Sequence, residues 1–376
     1  EAPEYADQED FSVVRFRSVG IPMFPPYRMG LPLFDFDFRK ELSATPFTIT
    51  HAHSPFIAGY IALKIGRHRG IPVVATFHSK YREDISRALK SELITEASLK
   101  LIVSYFNSVD EVWVPSTSTG KTLEEYGYEG SYEVMPNGSD LEIPSPRDYE
   151  VLRAKGRDEI GVSGDTTLFL FVGQHRWEKN VKLIIESLKI LKDAGRNFRM
   201  LFVGQGYAEE EMKRMVSERG LSDRVSFYGV VLDREKLKEI YAAADIFLFP
   251  SLYDNVPLVV REAAAFKVPS VLIRGSTAAE GFRDNENGFL VENDPGDMAG
   301  KLFTLLDLPE LVQSAGEGAQ ATIYIPWERI IDSAFDRYKK IIATYKKPRD
   351  LRPNLLSDSF FSQFWRLIRD DEKQGK

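Results

Sequence analysis

The 376-residue sequence contains no cysteine. That excludes disulfide scaffolds, thiolate metal centres and cysteine nucleophiles, and it fits a reducing, cytoplasmic setting. No apolar run reaches the roughly 18 residues that a membrane-spanning helix needs. Basic residues are not in excess: 49 Lys+Arg stand against 56 Asp+Glu, a formal charge of −7. A protein built to wrap nucleic acid carries the opposite sign. No basic stretch leading into an apolar core opens the chain, so no signal peptide is visible. The first residue is Glu1 rather than methionine, which reads as a processed or excised chain. What is present is ordinary for a globular protein, 43% hydrophobic and 28% charged. At about 150 residues per domain, the length predicts two to three domains.

Prolines and aromatics crowd residues 1–45, as in Ile21-Pro22-Met23-Phe24-Pro25-Pro26-Tyr27, and argue against regular elements there. From Phe47 on, short apolar runs alternate with helical stretches. Phe47–His51, Ile71–His78, Glu111–Pro115 and Tyr132–Pro136 read as strands. Ser54–Arg69, Ile85–Phe106 and Ser118–Tyr126 read as helices. Asn137-Gly138 and Ile143-Pro144-Ser145-Pro146 interrupt the rhythm as a linker. It restarts with strands Thr167–Val172, Phe198–Val203, Val225–Tyr228, Ile246–Phe249, Pro269–Ile273 and Gly288–Val291, with helices between most of them. Alternation of this kind predicts an α/β chain of two doubly wound, Rossmann-like domains facing a cleft. The expected division is 1–145, 146–325, a helix over 326–345 crossing back to the first domain, and a basic aromatic tail over 346–376.

Ligands of such sheets bind beyond the carboxyl ends of the strands. Two loops there carry chemistry. One is Gly173-Gln174-His175-Arg176-Trp177-Glu178-Lys179-Asn180. The other is Pro250-Ser251-Leu252-Tyr253-Asp254-Asn255-Val256-Pro257, with Glu262 inside the helix that follows. Pro257 suits a first helical turn, and the free N–H groups at that helix start suit a diphosphate. Lys179 adds a mobile positive charge. Glu262 can accept from ribose hydroxyls, and Asp254 can face a sugar. Gly204-Gln205-Gly206 lacks the third glycine of a dinucleotide fingerprint, because Glu209 stands there.

Residues Phe169–Pro295 resemble the nucleotide-binding domain of retaining GT-B glycosyltransferases of family 4, the glycosyl transferases group 1. The resemblance rests on Gly173…Glu178-Lys179-Asn180, Val203-Gly204-Gln205-Gly206, Val225–Val230 and Tyr241-Ala242-Ala243-Ala244-Asp245. It continues through Asp254 and Glu262 with seven residues between them, Glu280-Gly281, and Asn287-Gly288-Phe289-Leu290. The first half is similar to that family's acceptor domain at His51-Ala52-His53-Ser54-Pro55-Phe56 and Ala75-Thr76-Phe77-His78-Ser79. Its His53-Ser54-Pro55 and Phe77–Tyr81 stretches also resemble, faintly, bacterial diacylglycerol glucosyltransferases.

The resemblance implies transfer of a hexose from a nucleotide-diphosphate sugar, with UDP-glucose as the donor expected of the family. The acceptor would be a lipid, a glycan or a small molecule, and no metal or cofactor is required. It implies that His78 lies by the donor sugar, that Asp254 and Asn255, Val256, Pro257 and Leu258 contact the hexose, and that Glu262 holds the ribose. Lys179 would hold the diphosphate, and the base would rest near Gly229 and Val230. His53, Ser54, Lys80 and Tyr81 are the candidate acceptor contacts.

Three departures stand out. Gln174 occupies the place of an arginine, so half the cationic clamp is missing; His175 or Arg176 compensates, or the register slips. Asp254 replaces a longer glutamate. The family's first strand, glycine loop and helix are not found before Glu1. Rival readings are a sugar-nucleotide-binding protein without turnover and an NAD-linked oxidoreductase. In the tail, Phe360, Phe361, Phe364, Trp365 and Ile368 share a helical face among eight basic and five acidic residues from Lys346 on. Docking on the protein core is the preferred reading, and a peripheral place on the inner membrane face the alternative.

Overall fold

The computed structural model describes residues 11–20, 28–164 and 166–346. Much of the proline-rich opening and nearly the whole tail, including Phe360, Phe361, Phe364, Trp365 and Ile368, lie outside the described residues.

The opening is not irregular throughout. Strands β1 (Ser18–Gly20) and β2 (Arg28–Gly30) pair antiparallel, and helix α1 spans Phe36–Ala44. The correction has a local cause. Asp35 caps α1 by accepting from the Phe38 N–H at 3.1 Å, and Phe38 is buried beside Ile61 and Ile65.

The first large unit runs β3 (Thr50–Ala52), α2 (Ile57–Arg69), β4 (Val73–Thr76), α3 (Tyr81–Leu89), α4 (Glu92–Phe106), β5 (Glu111–Val114), α5 (Thr117–Glu125), β6 (Tyr132–Val134). Its four strands form a parallel sheet in the order β3-β4-β5-β6. The single helix expected over Ile85–Phe106 is two helices, because Lys90 turns left-handed (φ 48°) and ends α3. Strand β3 lies later than the expected Phe47–His51, which brings His53 to the sheet's carboxyl edge.

The second unit begins with α6 (Pro146–Ile160), whose N-cap Ser145 accepts from the Asp148 N–H and whose left-handed Gly161 closes the other end. It continues β7 (Leu168–Val172), α7 (Val181–Asp193), β8 (Arg199–Val203), α8 (Glu209–Glu218), β9 (Val225–Gly229), α9 (Arg234–Ala243), β10 (Ile246–Leu248), α10 (Leu258–Ala265), β11 (Ser270–Ile273), β12 (Phe289–Val291). Two helices that the sequence reading did not anticipate follow, α11 (Pro295–Asp307) and α12 (Pro309–Thr322). The six parallel strands are ordered β12-β11-β10-β7-β8-β9. Strand order therefore reverses between β7 and β10, where a crevice opens. The core of this unit is apolar on both sheet faces; Phe169, Phe171, Phe202, Phe247 and Phe289 are fully buried.

Gly204 and Gly206 answer a packing need. A Cβ on Gly204 would stand 2.0 Å from the Gly173 carbonyl, and one on Gly206 would stand 2.3 Å from the His175 carbonyl. Gly204 also has φ +126°. These glycines let the β7 and β8 loops touch, and the His175 N–H donates to the Gln205 carbonyl at 3.0 Å.

The chain then recrosses. The Ser139 N–H donates to the Ile325 carbonyl at 2.8 Å, and the Trp327 N–H returns a bond to the Ser139 carbonyl at 3.2 Å. The last helix, α13 (Trp327–Thr344), lies on the first sheet: Tyr338 stacks on Trp113 at 5.1 Å, and Arg337 makes a bidentate pair with Glu111 at 2.8 Å. Among the described residues, no helix is long and apolar enough to cross a membrane.

Candidate functional site

The reversal between β7 and β10 places two loops side by side. Lys179, after β7, forms an ion pair with Asp254, after β10. The Ser251 hydroxyl donates to the other Asp254 oxygen at 2.6 Å. Both carboxylate oxygens are therefore engaged, three residues ahead of the α10 N-cap. Pro257 stands at the N-cap of α10, one residue before the first helical turn expected for it. No side chain caps this helix start; the Val260 N–H donates to the Pro257 carbonyl at 3.3 Å, which leaves the N–H groups of Leu258 and Val259 at the first turn.

Glu262 lies one turn inside α10 and is buried. One carboxylate oxygen accepts from the Tyr241 hydroxyl at 2.7 Å, and the other lies 3.7 Å from Arg234. Burial raises its pKa above the usual carboxylate range, with the Tyr241 hydrogen bond opposing. Gly229, with φ +86°, ends β9, and Val230 beyond it is 49% exposed. This is an open apolar rim at the same sheet edge.

The first unit meets this edge through the loop after β4. The Asn255 amide donates to the His78 carbonyl at 2.7 Å. The Lys80 ammonium donates to the Leu252 carbonyl (3.2 Å) and the Thr277 hydroxyl (3.0 Å), and Thr277 donates to the Asp254 carbonyl at 2.6 Å. Lys80 thus grips the loop that carries Asp254 and Asn255. Tyr81 opens α3, packed edge-on against Phe77 and Phe56, and burial pushes its hydroxyl up to about 12. The Ser54 hydroxyl accepts from the Phe56 N–H at 3.4 Å, so it serves its own turn.

Further contacts close the cleft. Glu280 accepts from the Thr117 and Ser118 N–H groups at 2.8 and 2.7 Å, filling the start of α5 with a carboxylate from the other unit. Tyr253 donates to Asp84, Arg87 pairs with Glu178, and Asn137 reaches the Val256 carbonyl at 3.4 Å. Sequence reasoning missed Ser251, Thr277 and the Glu280 contact. Thr277 and Glu280 carry no local mark, because their partners lie 23 and 163 residues away; Ser251, three residues before Asp254, was within reach.

Two sequence expectations are corrected. His175 does not stand in for the missing cation. It is fully buried among Phe171, Phe202 and Phe227, with Nδ1 3.0 Å from Glu209. Arg176 is turned along its own loop toward Glu178 and the exposed Gln174, whose amide oxygen accepts from it at 3.3 Å. Gln174 therefore brings no charge to the crevice, and Lys179 is the cation seated beside Asp254.

Three histidines line the first unit's edge. His51 is bonded through Nδ1 to Tyr338 of α13 (2.5 Å) and through Nε2 to Thr76 (2.7 Å). Its ring lies 4.3 Å from the His53 ring at a 34° tilt, and His53 Nδ1 meets His78 Nε2 at 2.9 Å. Burial lowers all three; repulsion from its neighbours adds to this for His51, lowered to about 3, and for His78, lowered to about 4. They are neutral at pH 7. Among the described residues no group of three or more His, Asp and Glu side chains is arranged to hold a metal ion.

Two family models cover most of the sequence. One, described as Glycosyl transferases group 1, matches residues 153–322, and one described as Glycosyltransferase Family 4 matches residues 2–143. The chain belongs to the group 1 glycosyl transferases. As a glycosyltransferase it is 24% identical over 268 residues to the alpha-monoglucosyldiacylglycerol synthase of Streptococcus pneumoniae, covering 70% of this chain and 60% of that one. Solved structures share its fold. Sucrose-phosphate synthase of Thermosynechococcus elongatus superposes with a TM-score of 0.69 at 21% identity, over 81% of this chain and 76% of that one. Anabaena HepE in complex with UDP-glucose gives 0.66 at 18% identity, over 81% and 82%. The glycosyltransferase thus has the GT-B arrangement, two parallel-sheet units across a cleft.

The histidine cluster makes this glycosyltransferase acid-sensitive. In the unfolded chain the three imidazoles bind protons as pH falls through about 6.5. In the folded chain all three resist to lower pH, His51 to about 3 and His78 to about 4, so protons favour unfolding in between. Glu262 and Asp110, raised by burial, act in the opposite sense, while the buried His175 acts with the cluster. The expected result is a lower urea midpoint at pH 5 than at pH 7.5. His51→Gln should flatten that difference; an unchanged difference would contradict the assignment.

Proposed function

We propose that the protein transfers a hexose from a uridine-diphosphate sugar to a lipid or glycan acceptor, with retention of configuration and without a metal. The observation that carries the reading is Lys179 paired with Asp254 at the strand-order reversal, beside the open start of α10 and opposite His78. The diphosphate would take the α10 N–H groups and the Lys179 ammonium. Glu262 would hold the ribose hydroxyls through the oxygen that now faces Arg234. The uracil would rest on the Gly229–Val230 rim. Asp254 and the Asn255–Leu258 stretch would meet the hexose hydroxyls.

In the transfer step the bond from the anomeric carbon to the phosphate oxygen breaks, and its electron pair leaves with the diphosphate. The acceptor hydroxyl bonds to the same face, and its proton passes to the departing phosphate oxygen. The protein's part is to stabilise the growing phosphate charge, chiefly through Lys179 and the helix start. A lipid acceptor is supported by the diacylglycerol-glucosylating relative and would place the enzyme at the cytoplasmic membrane face. His53, Ser54, Lys80 and Tyr81 would border its path.

A binding protein without turnover is the second reading, favoured by the uncharged Gln174. One experiment separates them. The protein is incubated with UDP-glucose and other nucleotide sugars, with diacylglycerol vesicles and glycan acceptors, in EDTA, and products are read by mass spectrometry. A glycosylated acceptor with an α-linkage from an α-linked donor supports the proposal. Donor binding without product supports the second reading. No nucleotide-sugar binding overturns both.

A further inference from the structure

The proposed function sets His78 opposite the start of α10 and gives His53 only a place beside the acceptor path. Register places the two together. Ala52 of β3 pairs with Ala75 of β4, so the residues just beyond both strand ends share one edge. His53 Nδ1 and His78 Nε2 are 2.9 Å apart, with the rings 5.2 Å apart and 25° from parallel. That distance requires one proton between the two nitrogens. His51 cannot supply it, because both its nitrogens are bonded elsewhere, to Tyr338 and Thr76. Its ring backs the His53 ring instead, at 4.3 Å.

A neutral imidazole has one N–H and one bare nitrogen. Two arrangements satisfy the pair. Either both rings carry the proton on Nδ1, and His53 donates, or both carry it on Nε2, and His78 donates. The Nε2–H form is the intrinsically favoured one for a histidine side chain, so the second arrangement keeps both rings in their preferred form. It leaves His78 Nδ1 bare, and that nitrogen has no hydrogen bond among the described residues. The His78 backbone is held from the other unit by the Asn255 amide at 2.7 Å.

We propose that His53 is a positioning residue: by accepting from His78 Nε2–H it fixes the His78 tautomer and leaves Nδ1 as a hydrogen-bond acceptor for a hydroxyl of the donor sugar. The sugar-facing half rests on the proposed function; the tautomer half does not. The pairing gives the cleft a polarity. A hydroxyl that can donate is accepted, and a sugar carrying only an ether or carbonyl oxygen at that place is not.

The test uses the full chain labelled with nitrogen-15 at histidine. Long-range proton–nitrogen correlation spectra at pH 7.5, without ligand, report the tautomer of each ring. Only five histidines are present, and single substitutions assign them. The expected result is the Nε2–H form for His78. His53→Phe, which keeps the ring against His51, should turn His78 into a mixture of tautomers. His53→Asn, whose amide oxygen can accept, should restore the Nε2–H form. With a donor sugar, His53→Phe should lower kcat/KM about tenfold, one hydrogen bond's worth, and His53→Asn by much less. A His78 in the Nδ1–H form, or one indifferent to His53→Phe, overturns the proposal whatever the activity. A tautomer that follows His53 without any donor binding keeps the pairing and overturns the sugar-facing half. If His53→Phe does not fold, the wild-type spectrum and His53→Asn decide.

Discussion

Lys179→Ala is expected to lower kcat by about 10²- to 10³-fold, the usual effect of removing one preorganised charge from a site where a leaving group gains charge. The geometry makes the loss hard to repair. Gln174 is neutral and turned to Arg176, His175 is buried against Glu209, and Arg176 is held by Glu178. Among the described residues no second cation pairs with the Asp254 carboxylate; Lys80 is engaged by the Leu252 carbonyl and the Thr277 hydroxyl. The substitution also leaves the Asp254 carboxylate with Ser251 but no counter-charge, next to where a diphosphate would arrive. Like charges then repel, so nucleotide affinity should fall together with kcat. Lys179→Arg should recover part of both, limited by the different reach of a planar guanidinium. Gln174→Arg in the wild-type background is the complementary check, because it adds the absent half of the clamp. The measurement is steady-state kinetics beside calorimetric binding of UDP. A Lys179→Ala protein with unaltered kcat would remove the helix start and its lysine from the mechanism.

Most of the second unit was legible in the sequence, for physical reasons. Its strands are buried on both faces and so appear as unbroken apolar runs, and the helices between them carry periodic apolar faces, with a side-chain cap, Asp233, only on α9. The reversal of strand order could not be read from any single run, yet it is what turns Lys179 and Asp254, 75 residues apart, into neighbours. The first unit was harder. Strand β3 has only three residues, and the Lys90 break interrupts an otherwise continuous helical pattern. The His53–His78 contact depends on a strand register, and Tyr338 reaches His51 from 287 residues away. Such contacts leave no spacing to read. The opening α1 was hidden by nearby prolines, although Asp35, three residues before Phe38, was a capping signal within reach.

Glu262→Ala is expected to abolish detectable donor-nucleotide binding, and a stability measurement tells whether it does so for the proposed reason. Two consequences must be separated. The first is the lost acceptor for the ribose hydroxyls. The second is structural: the hydroxyl of the fully buried Tyr241 loses its partner. An unsatisfied buried hydroxyl costs about 1–3 kcal/mol, so the variant should unfold at lower urea even without nucleotide. Glu262→Gln divides the two effects. Its amide oxygen still accepts from Tyr241 and its volume is nearly unchanged, so stability should stay close to wild type. It replaces one of the two acceptor oxygens with an NH2 group and removes the charge opposite Arg234. If the ribose needs both, UDP affinity should still fall at least tenfold. Tyr241→Phe provides the converse, relieving the hydroxyl while leaving the carboxylate in place, and should bind UDP nearly as well as wild type. Near-normal UDP affinity in Glu262→Gln and Glu262→Ala together would leave Glu262 as a structural partner of Tyr241, and the ribose would have to be held elsewhere along the α10 edge.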